Sequence, residues 1–153
     1  MDTFPDAIVI HLHRDPCQAI PSVCSLAAAA RAPFCESIDY DALGEFWLNY
    51  YAAGLERGLK ARHKSGPNQI IDIRYPDLKE APLSVIDQIQ NIISLDDYDT
   101  WAKSLKINTQ ETRSKQPGDH RYNLSQFGLD ADQIGERFAG YIQDYNLSVE
   151  VVH

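Results

Sequence analysis

The amino-acid sequence predicts an α/β fold with parallel strands and a mostly helical remainder, and three observations support this. Two short apolar segments, at residues 7–12 and 69–75, have the β-branched composition of buried strands. Each is followed by a turn and then by a helix pattern, and long amphipathic segments fill the rest of the chain. Because two strands are too few for an independent parallel sheet of ordinary size, we expect the helix-rich half of a three-layer α/β domain.

The composition is that of a folded, acidic domain of 153 residues. Lys and Arg number 14 and Asp and Glu 22, a net charge of -8, which argues against a nucleic-acid or anionic-membrane binder. The uncharged stretch at residues 17–30 is too short to cross a bilayer. The three cysteines, the absence of CxxC and the lack of a secretory signal favour reduced, packed thiols and a cytoplasmic location.

A buried strand followed directly by a helix is predicted near the start of the chain. Residues 7–12 are nearly continuous in apolar character, which suits a strand buried on both faces. Asp15 is a good N-cap and Pro16 suits the first helical position, so we expect a helix from there to about Arg31. In α/β folds, ligands bind beyond the carboxyl end of such a strand.

A long amphipathic helix is predicted over Asp39–Lys64, with acidic residues at its start, basic residues at its end and Gly66-Pro67 after it. Its apolar face follows the i, i+3/i+4 spacing, and we interpret the aromatic residues of this face as core. The residues of the face are Leu43, Phe46, Trp47, Tyr50, Tyr51, Gly54, Leu55 and Leu59.

The later segments alternate between strand, helix and loop patterns. They are a strand at Gln69–Tyr75 ended by Pro76-Asp77, a helix opened by Pro82, a shorter helix at Asp96–Leu105, a loop at Ile107–Arg121 and a final helix capped by Asp130.

Cationic and hydroxyl side chains lie where a phosphate can be held. Arg14 stands at the end of the first strand, where a guanidinium can donate two hydrogen bonds to one phosphate, and Ser22 can add a third. Tyr75 ends the second strand, and parallel strands bring their carboxyl ends to one edge. The segment Arg113–Arg121 has cations on both sides of a Pro-Gly turn, which suits closure over an anion. The structural alternatives are Arg14 paired with a carboxylate such as Asp15, and solvated loop cations.

The histidines suggest two further chemistries. His11 and His13 share one strand face at i and i+2, as at the start of a metal site, but no third ligand follows at a recognisable spacing. We therefore expect no metal. His120 is a candidate catalytic base, although phosphate contact or simple exposure suits its place in the predicted loop better.

Taken in order, these segments resemble the sulfotransferase family. The strand ending in His-Leu-His-Arg-Asp-Pro at residues 11–16, with Ser22 at this spacing, resembles the family's 3′-phosphate-binding motif. Residues 72–78 and Ala81-Pro82 resemble its second strand and Tyr-x-Asp-Leu/Met turn. Arg113–Arg121 resembles its late loop, and residues 120–129 are similar to bacterial-type members. The resemblance extends over residues 4–146.

The resemblance implies a P-loop-like fold and a transferase that uses 3′-phosphoadenosine 5′-phosphosulfate as sulfuryl donor, without a metal. It implies that Arg14 and Ser22 bind the 3′-phosphate, that Tyr75 contacts the adenosine, and that Arg113 and Lys115 belong to the loop over the phosphate. Ser114-Lys115 departs from the Lys-Gly usual in cytosolic members.

A second departure lies before Arg14. In the family, a loop that holds the 5′-phosphosulfate with backbone N–H groups precedes the 3′-phosphate motif, and the residues before Arg14 leave no room for it. We therefore expect residues 1–153 to be the C-terminal portion of a sulfotransferase domain, without the catalytic base and with little or no turnover. A gene fragment, a wrongly assigned start and a split enzyme all fit.

Other functions stay open from the sequence. One is a non-catalytic interaction module that pairs with a partner chain, either one that supplies the other half or a second copy. Another is a nucleotide-binding regulatory module. The small-molecule acceptor, a hydroxyl or an amine, is not specified.

Overall fold

The computed structural model describes residues 4–67, 69–93, 97–100, 102–104 and 123–148. The chain divides into two compact units, one of residues 1–13 and 65–120 and one of residues 14–64 and 121–153. In chain order, the elements are β1 (Val9–His13), α1 (Pro16–Arg31), α2 (Tyr40–Arg62), β2 (Ile70–Arg74), α3 (Tyr75–Glu80), α4 (Pro82–Ile93), a 3₁₀ helix (Leu124–Phe127), α5 (Ala131–Arg137) and α6 (Ala139–Asp144). The α/β class is confirmed.

The first unit contains a parallel pair of strands. β1 and β2 pair so that His11 stands opposite Asp72 and His13 opposite Arg74. Side chains alternate between the two faces of a sheet, and residues opposite each other share a face. One face therefore carries these four polar residues, and the other carries Ile71 and Ile73 of β2.

The apolar face of β2 forms the core of this unit. Ile71 and Ile73 pack with Val85 of α4, and Ile89 and Ile93 extend the contact. The helix opened by Pro82 is thus confirmed, because its apolar stripe needs a surface of this kind to cover.

β1 differs from the prediction of a strand buried on both faces. Its apolar side chains, Val9, Ile10 and Leu12, are 43% to 49% exposed. Within the described residues the sheet has the order β1-β2, so one edge of β1 has no strand neighbour. The isoleucines opposite Ile10 and Leu12 are buried because α4 covers β2.

The two longest helices of the second unit begin as predicted, at residues that cap them. Asp15 Oδ1 accepts a hydrogen bond of 2.9 Å from the N–H of Cys17, and Pro16 takes the first helical position. Asp39 Oδ1 accepts one of 3.0 Å from the N–H of Ala42. Both caps satisfy backbone donors that the first helical turn leaves open.

The core of the second unit corrects the interpretation of α2. Its buried residues are Leu43, Gly44 and Leu48, whereas Phe46 and Tyr50 are 52% and 60% exposed. The aromatic face is therefore not core as a whole. The buried face of α2 includes Gly44, because a glycine at this position lets the backbone of the 3₁₀ helix come close to the backbone of α2. The buried cluster comprises Cys17, Ile20, Cys24, Ala28, Leu43, Leu48, Phe127, Leu129, Ile134 and Phe138.

In three segments the observed elements differ in detail from the predicted ones or are described only in part. The unpredicted helix α3 begins at Tyr75, since proline suits a first helical turn as well as the end of a strand. The final helix begins after Asp130 as predicted but divides into α5 and α6 at Phe138, which is buried in the core. Residues 98–100 and 102–104 are helical, while the ends of the helix predicted there and the whole of the predicted loop lie outside the described residues.

Within the described ranges, no helix combines the length and the apolar character needed to span a bilayer.

Candidate functional site

Arg14 stands between the end of β1 and the start of α1. It is half-buried, and its Nε atom is shielded from solvent. The next residue, Asp15, is 6% exposed and caps α1. The strand-turn-helix pattern therefore places a guanidinium directly before the first turn of the helix, as the sequence predicts.

Ser22 lies on a half-buried polar stripe of α1. The stripe comprises Gln18, Ser22 and Ser25, at the i, i+4 and i+7 positions of one helix face. A different face of α1 carries the buried residues Cys17 and Cys24. Ser22 follows the N-cap by two helical turns, about 10 Å at the usual rise per residue. Its hydroxyl thus belongs to the side of α1 that is not packed into the core.

The first backbone N–H groups of α1 are already hydrogen-bonded to the residue that caps the helix. Pro16 has no N–H, the N–H of Cys17 is bonded to the Asp15 carboxylate, and those of Gln18 and Ala19 are bonded to the Asp15 carbonyl. An anion at this end must therefore be held by side chains rather than by the free N–H groups that often bind phosphate.

Tyr75 is the first residue of α3 in the first unit, and it is half-buried. The Lys79 ammonium lies 6.0 Å from the centre of its ring. Arg14 and Ser22 belong to the second unit, whereas Tyr75 belongs to the first. Arg113 and Lys115 lie outside the described residues.

An arginine fork stabilises the turn that presents Tyr75. Arg74 donates two hydrogen bonds of 2.7 Å, from Nε and Nη2, to the two carboxylate oxygens of Asp77. These bonds and the charge of Asp77 raise the pKa of Arg74. Because Arg74 ends β2 and Asp77 lies in the first turn of α3, the fork holds the strand end against the helix start.

A cluster of two histidines and a carboxylate occupies the polar face of the sheet. His13 is fully buried and its Nε2 lies 2.9 Å from Asp72 Oδ1. The rings of His11 and His13 lie 4.1 Å apart, centre to centre. One ligand atom from each of the three residues falls within 4.8 Å of the others.

The third member of this cluster, Asp72, was not predicted from the sequence. Asp72 is 59 residues from His13 along the chain, so no spacing motif connects them. The available signal was a carboxylate inside an otherwise apolar strand segment, at the position that a parallel register places opposite His11.

Two surface cavities lie among the described residues of the second unit. One of about 450 Å³ lies between α2 and α5, and one of about 270 Å³ lies beside α1 and the 3₁₀ helix. Neither cavity is lined by Arg14 or Ser22.

Three comparisons relate the chain to known proteins. A family model described as "Sulfotransferase family" matches residues 1–100. No curated protein matches the chain. Two solved structures are similar to it: sulfotransferase STF9 from Mycobacterium avium, with a TM-score of 0.79 and 22% identity, and sulfotransferase STF1 from Mycobacterium tuberculosis H37Rv, with a TM-score of 0.73 and 30% identity.

The two structural matches cover almost all of this chain and a smaller part of the matched proteins. They include 97% and 92% of this chain, and 38% and 35% of the matched chains, respectively. The chain therefore spans little more than a third of the length of either matched structure, and in that region its fold follows theirs.

Proposed function

The chain belongs to the sulfotransferase family, and from this premise we propose that it binds the 3′-phosphate end of 3′-phosphoadenosine 5′-phosphosulfate. This nucleotide is the donor of a sulfuryl group to an acceptor hydroxyl or amine. The observation that carries the proposal is the placement of Arg14 directly before the cap of α1, with Ser22 on the polar stripe of the same helix.

Side chains provide the binding energy in this proposal. Since the first N–H groups of α1 are already bonded to Asp15, the guanidinium of Arg14 and the hydroxyl of Ser22 hold the phosphate oxygens. Each charge-assisted hydrogen bond contributes about 1.5–3 kcal/mol. Arg14 is half-buried, which reduces the competition from water for these bonds.

The contact with the adenosine is proposed for Tyr75. Its half-buried ring at the first position of α3, directly after β2, supports this role, because an aromatic face is a sequence-tolerant surface for stacking a base. Arg113 and Lys115 are proposed to cover the 3′-phosphate, on the motif resemblance of their segment alone.

Calorimetric titration of the chain with adenosine 3′,5′-bisphosphate tests the proposal. We expect Arg14→Ala to weaken binding by about tenfold to a hundredfold, and Ser22→Ala by about tenfold or less, since 1.4 kcal/mol corresponds to a factor of ten. Ser25→Ala is the matched control, because Ser25 lies on the same stripe one turn further on, and its affinity should equal that of the unmodified chain.

A second ligand identifies the phosphate concerned. With adenosine 5′-phosphate, which lacks the 3′-phosphate, binding should be weak and insensitive to Arg14→Ala. Bisphosphate affinity that is unchanged in both Arg14→Ala and Ser22→Ala would remove the basis of the proposal.

A second candidate function, pairing with a partner chain, is favoured by β1, which within the described residues has no strand neighbour at one edge. Ile10 and Leu12 are 49% and 45% exposed, and an apolar strand edge is a template for pairing with another strand. Light scattering with size-exclusion chromatography tests this candidate. Association that is lost in Ile10→Lys supports it, and a monomer at every concentration counts against it.

A further inference from the structure

Beyond the nucleotide, we propose that His11, His13 and Asp72 form a binding site for a divalent ion of the zinc class. The three residues share the polar face of the sheet, where the parallel register places His11 directly opposite Asp72. One ligand atom of each already lies within 4.8 Å of the others. The register is held by backbone hydrogen bonds, so the site needs only side-chain rotation to close.

The ligand set selects the class of ion. Two imidazole nitrogens and one carboxylate oxygen suit Zn²⁺ and its neighbours, whereas Mg²⁺ and Ca²⁺ prefer oxygen ligands alone. Three protein ligands leave a fourth position for water or a small anion, as in zinc sites that are open to a ligand.

The distances agree with such a site after a small adjustment. With metal–ligand bonds of about 2.0–2.1 Å, the ligand atoms of a tetrahedral site are roughly 3.3 Å apart. His13 Nε2 and Asp72 Oδ1, at 2.9 Å, are already close to this separation. The remaining adjustment is a rotation of the half-buried ring of His11 toward the other two ligand atoms.

Burial and charge support the proposal. His13 is fully buried, while His11 and Asp72 are half-buried, which gives an ion a protected anchor and an open side from which to enter. Arg74 lies on the same face, opposite His13. Its positive charge is offset by the two hydrogen bonds to Asp77, which reduces its repulsion of a bound cation.

A bound ion would link the two strands through their side chains. His11 and His13 belong to β1 and Asp72 to β2, so the ion adds a cross-link between segments that are about sixty residues apart along the chain. Because an ion that binds only the folded state stabilises it, zinc should raise the resistance of the chain to unfolding.

Zinc titration of the chelator-treated chain by calorimetry tests the site. We expect saturable binding of one zinc ion per chain. The zinc affinity should fall by about tenfold to a hundredfold or more in His11→Ala and in Asp72→Asn, because loss of a group that only supports a metal ligand already lowers metal affinity by this amount. His63→Ala and Cys35→Ser are the controls, because these exposed residues lie outside the cluster, and both should bind zinc like the unmodified chain.

Nuclear magnetic resonance of the unmodified chain gives a readout that does not depend on the folding of a variant. Added zinc should shift the ring signals of His11 and His13 and leave those of His63 in place. Each of four results would overturn the proposal. They are the absence of one-to-one binding, unchanged His11 and His13 signals on addition of zinc, loss of zinc binding in Cys35→Ser, and a zinc affinity of His11→Ala or Asp72→Asn within threefold of that of the unmodified chain.

Discussion

Gly44 of α2 packs against the backbone of Phe127 with no room for a side chain between them. A Cβ at position 44 would lie 3.0 Å from both the carbonyl carbon and the Cβ of Phe127, and closer still to its carbonyl oxygen. Phe127 is 1% exposed and belongs to the core of the second unit. This close approach joins the 3₁₀ helix to α2.

Replacing this glycine should destabilise the chain. We expect Gly44→Ala to lower the free energy of unfolding by about 1–3 kcal/mol, because an added methyl must push on a buried backbone that cannot move away at low cost. Urea denaturation followed by circular dichroism measures the change.

A second glycine in the same helix provides the matched control. Gly54 is exposed, and a Cβ built there meets nothing within 4 Å. Because alanine favours a helix over glycine by about 1 kcal/mol, Gly54→Ala should stabilise the chain by up to that amount. Changes of the same sign in both variants would contradict the close approach of Gly44 to Phe127.

The three thiols should differ sharply in reactivity. Cys35 is exposed, whereas Cys17 and Cys24 are buried. Burial raises the pKa of Cys24 to about 11, and burial together with the charge of Asp15 raises the pKa of Cys17 to about 11. Since the thiolate is the reactive form, a thiol reagent at pH 8 should label one cysteine quickly.

The labelled residue can be identified directly. Cys35→Ser should abolish the fast reaction, and urea should release the two slow thiols. Fast labelling of a second thiol in the native chain would show that the buried cysteines are accessible.

The same pKa shifts predict a loss of stability at alkaline pH. Both thiols have folded-state pKa values above their ordinary value of 9.0, so their contribution is complete below pH 9 and is lost as the pH rises toward 11. In this pH range, each thiol lowers the free energy of unfolding by up to about 1.4 kcal/mol per pH unit.

A cysteine variant separates this effect from other groups that titrate at high pH. The free energy of unfolding of Cys24→Ala, measured in urea from pH 8 to 10.5, should fall less steeply than that of the unmodified chain. Parallel curves would show that Cys24 does not contribute to the alkaline slope.

The fork between Arg74 and Asp77 should contribute little to global stability. Their side chains are 41% and 43% exposed, and exposed ion pairs are weakened by water and salt. Asp77→Asn should therefore destabilise the chain much less than Gly44→Ala does. A double-mutant cycle with Arg74→Gln measures the coupling, which should decrease as salt is added. Strong coupling that is insensitive to salt would contradict the exposed geometry.

The helix starts were predictable because their chemistry is local. The carboxylates of Asp15 and Asp39 each accept a hydrogen bond from a backbone N–H group within three residues of the cap, and Pro16 suits the first helical position. The position of Arg14 between a strand and a helix followed from the same signals. Ser22 was likewise assigned to the right helix, and helical periodicity then places it on the polar stripe.

The buried face of α2 was not predictable from its periodicity. Aromatic and leucine residues lie around much of this helix, so the pattern supports more than one orientation toward the core. Contact with Phe127 selects the orientation that buries Gly44, and this contact joins residues about eighty positions apart. The division of the last helix at Phe138 likewise accompanies the burial of that side chain in the core.

Local signals along the chain thus specify the strands, the helix caps and the order of the family's motifs, because each depends on residues only a few positions apart. Packing between distant segments sets which face of α2 is buried and brings Asp72 to His13. No pattern within one segment encodes those contacts, since they exist only once the register of β1 on β2, and the fit of α2 against the 3₁₀ helix, have formed.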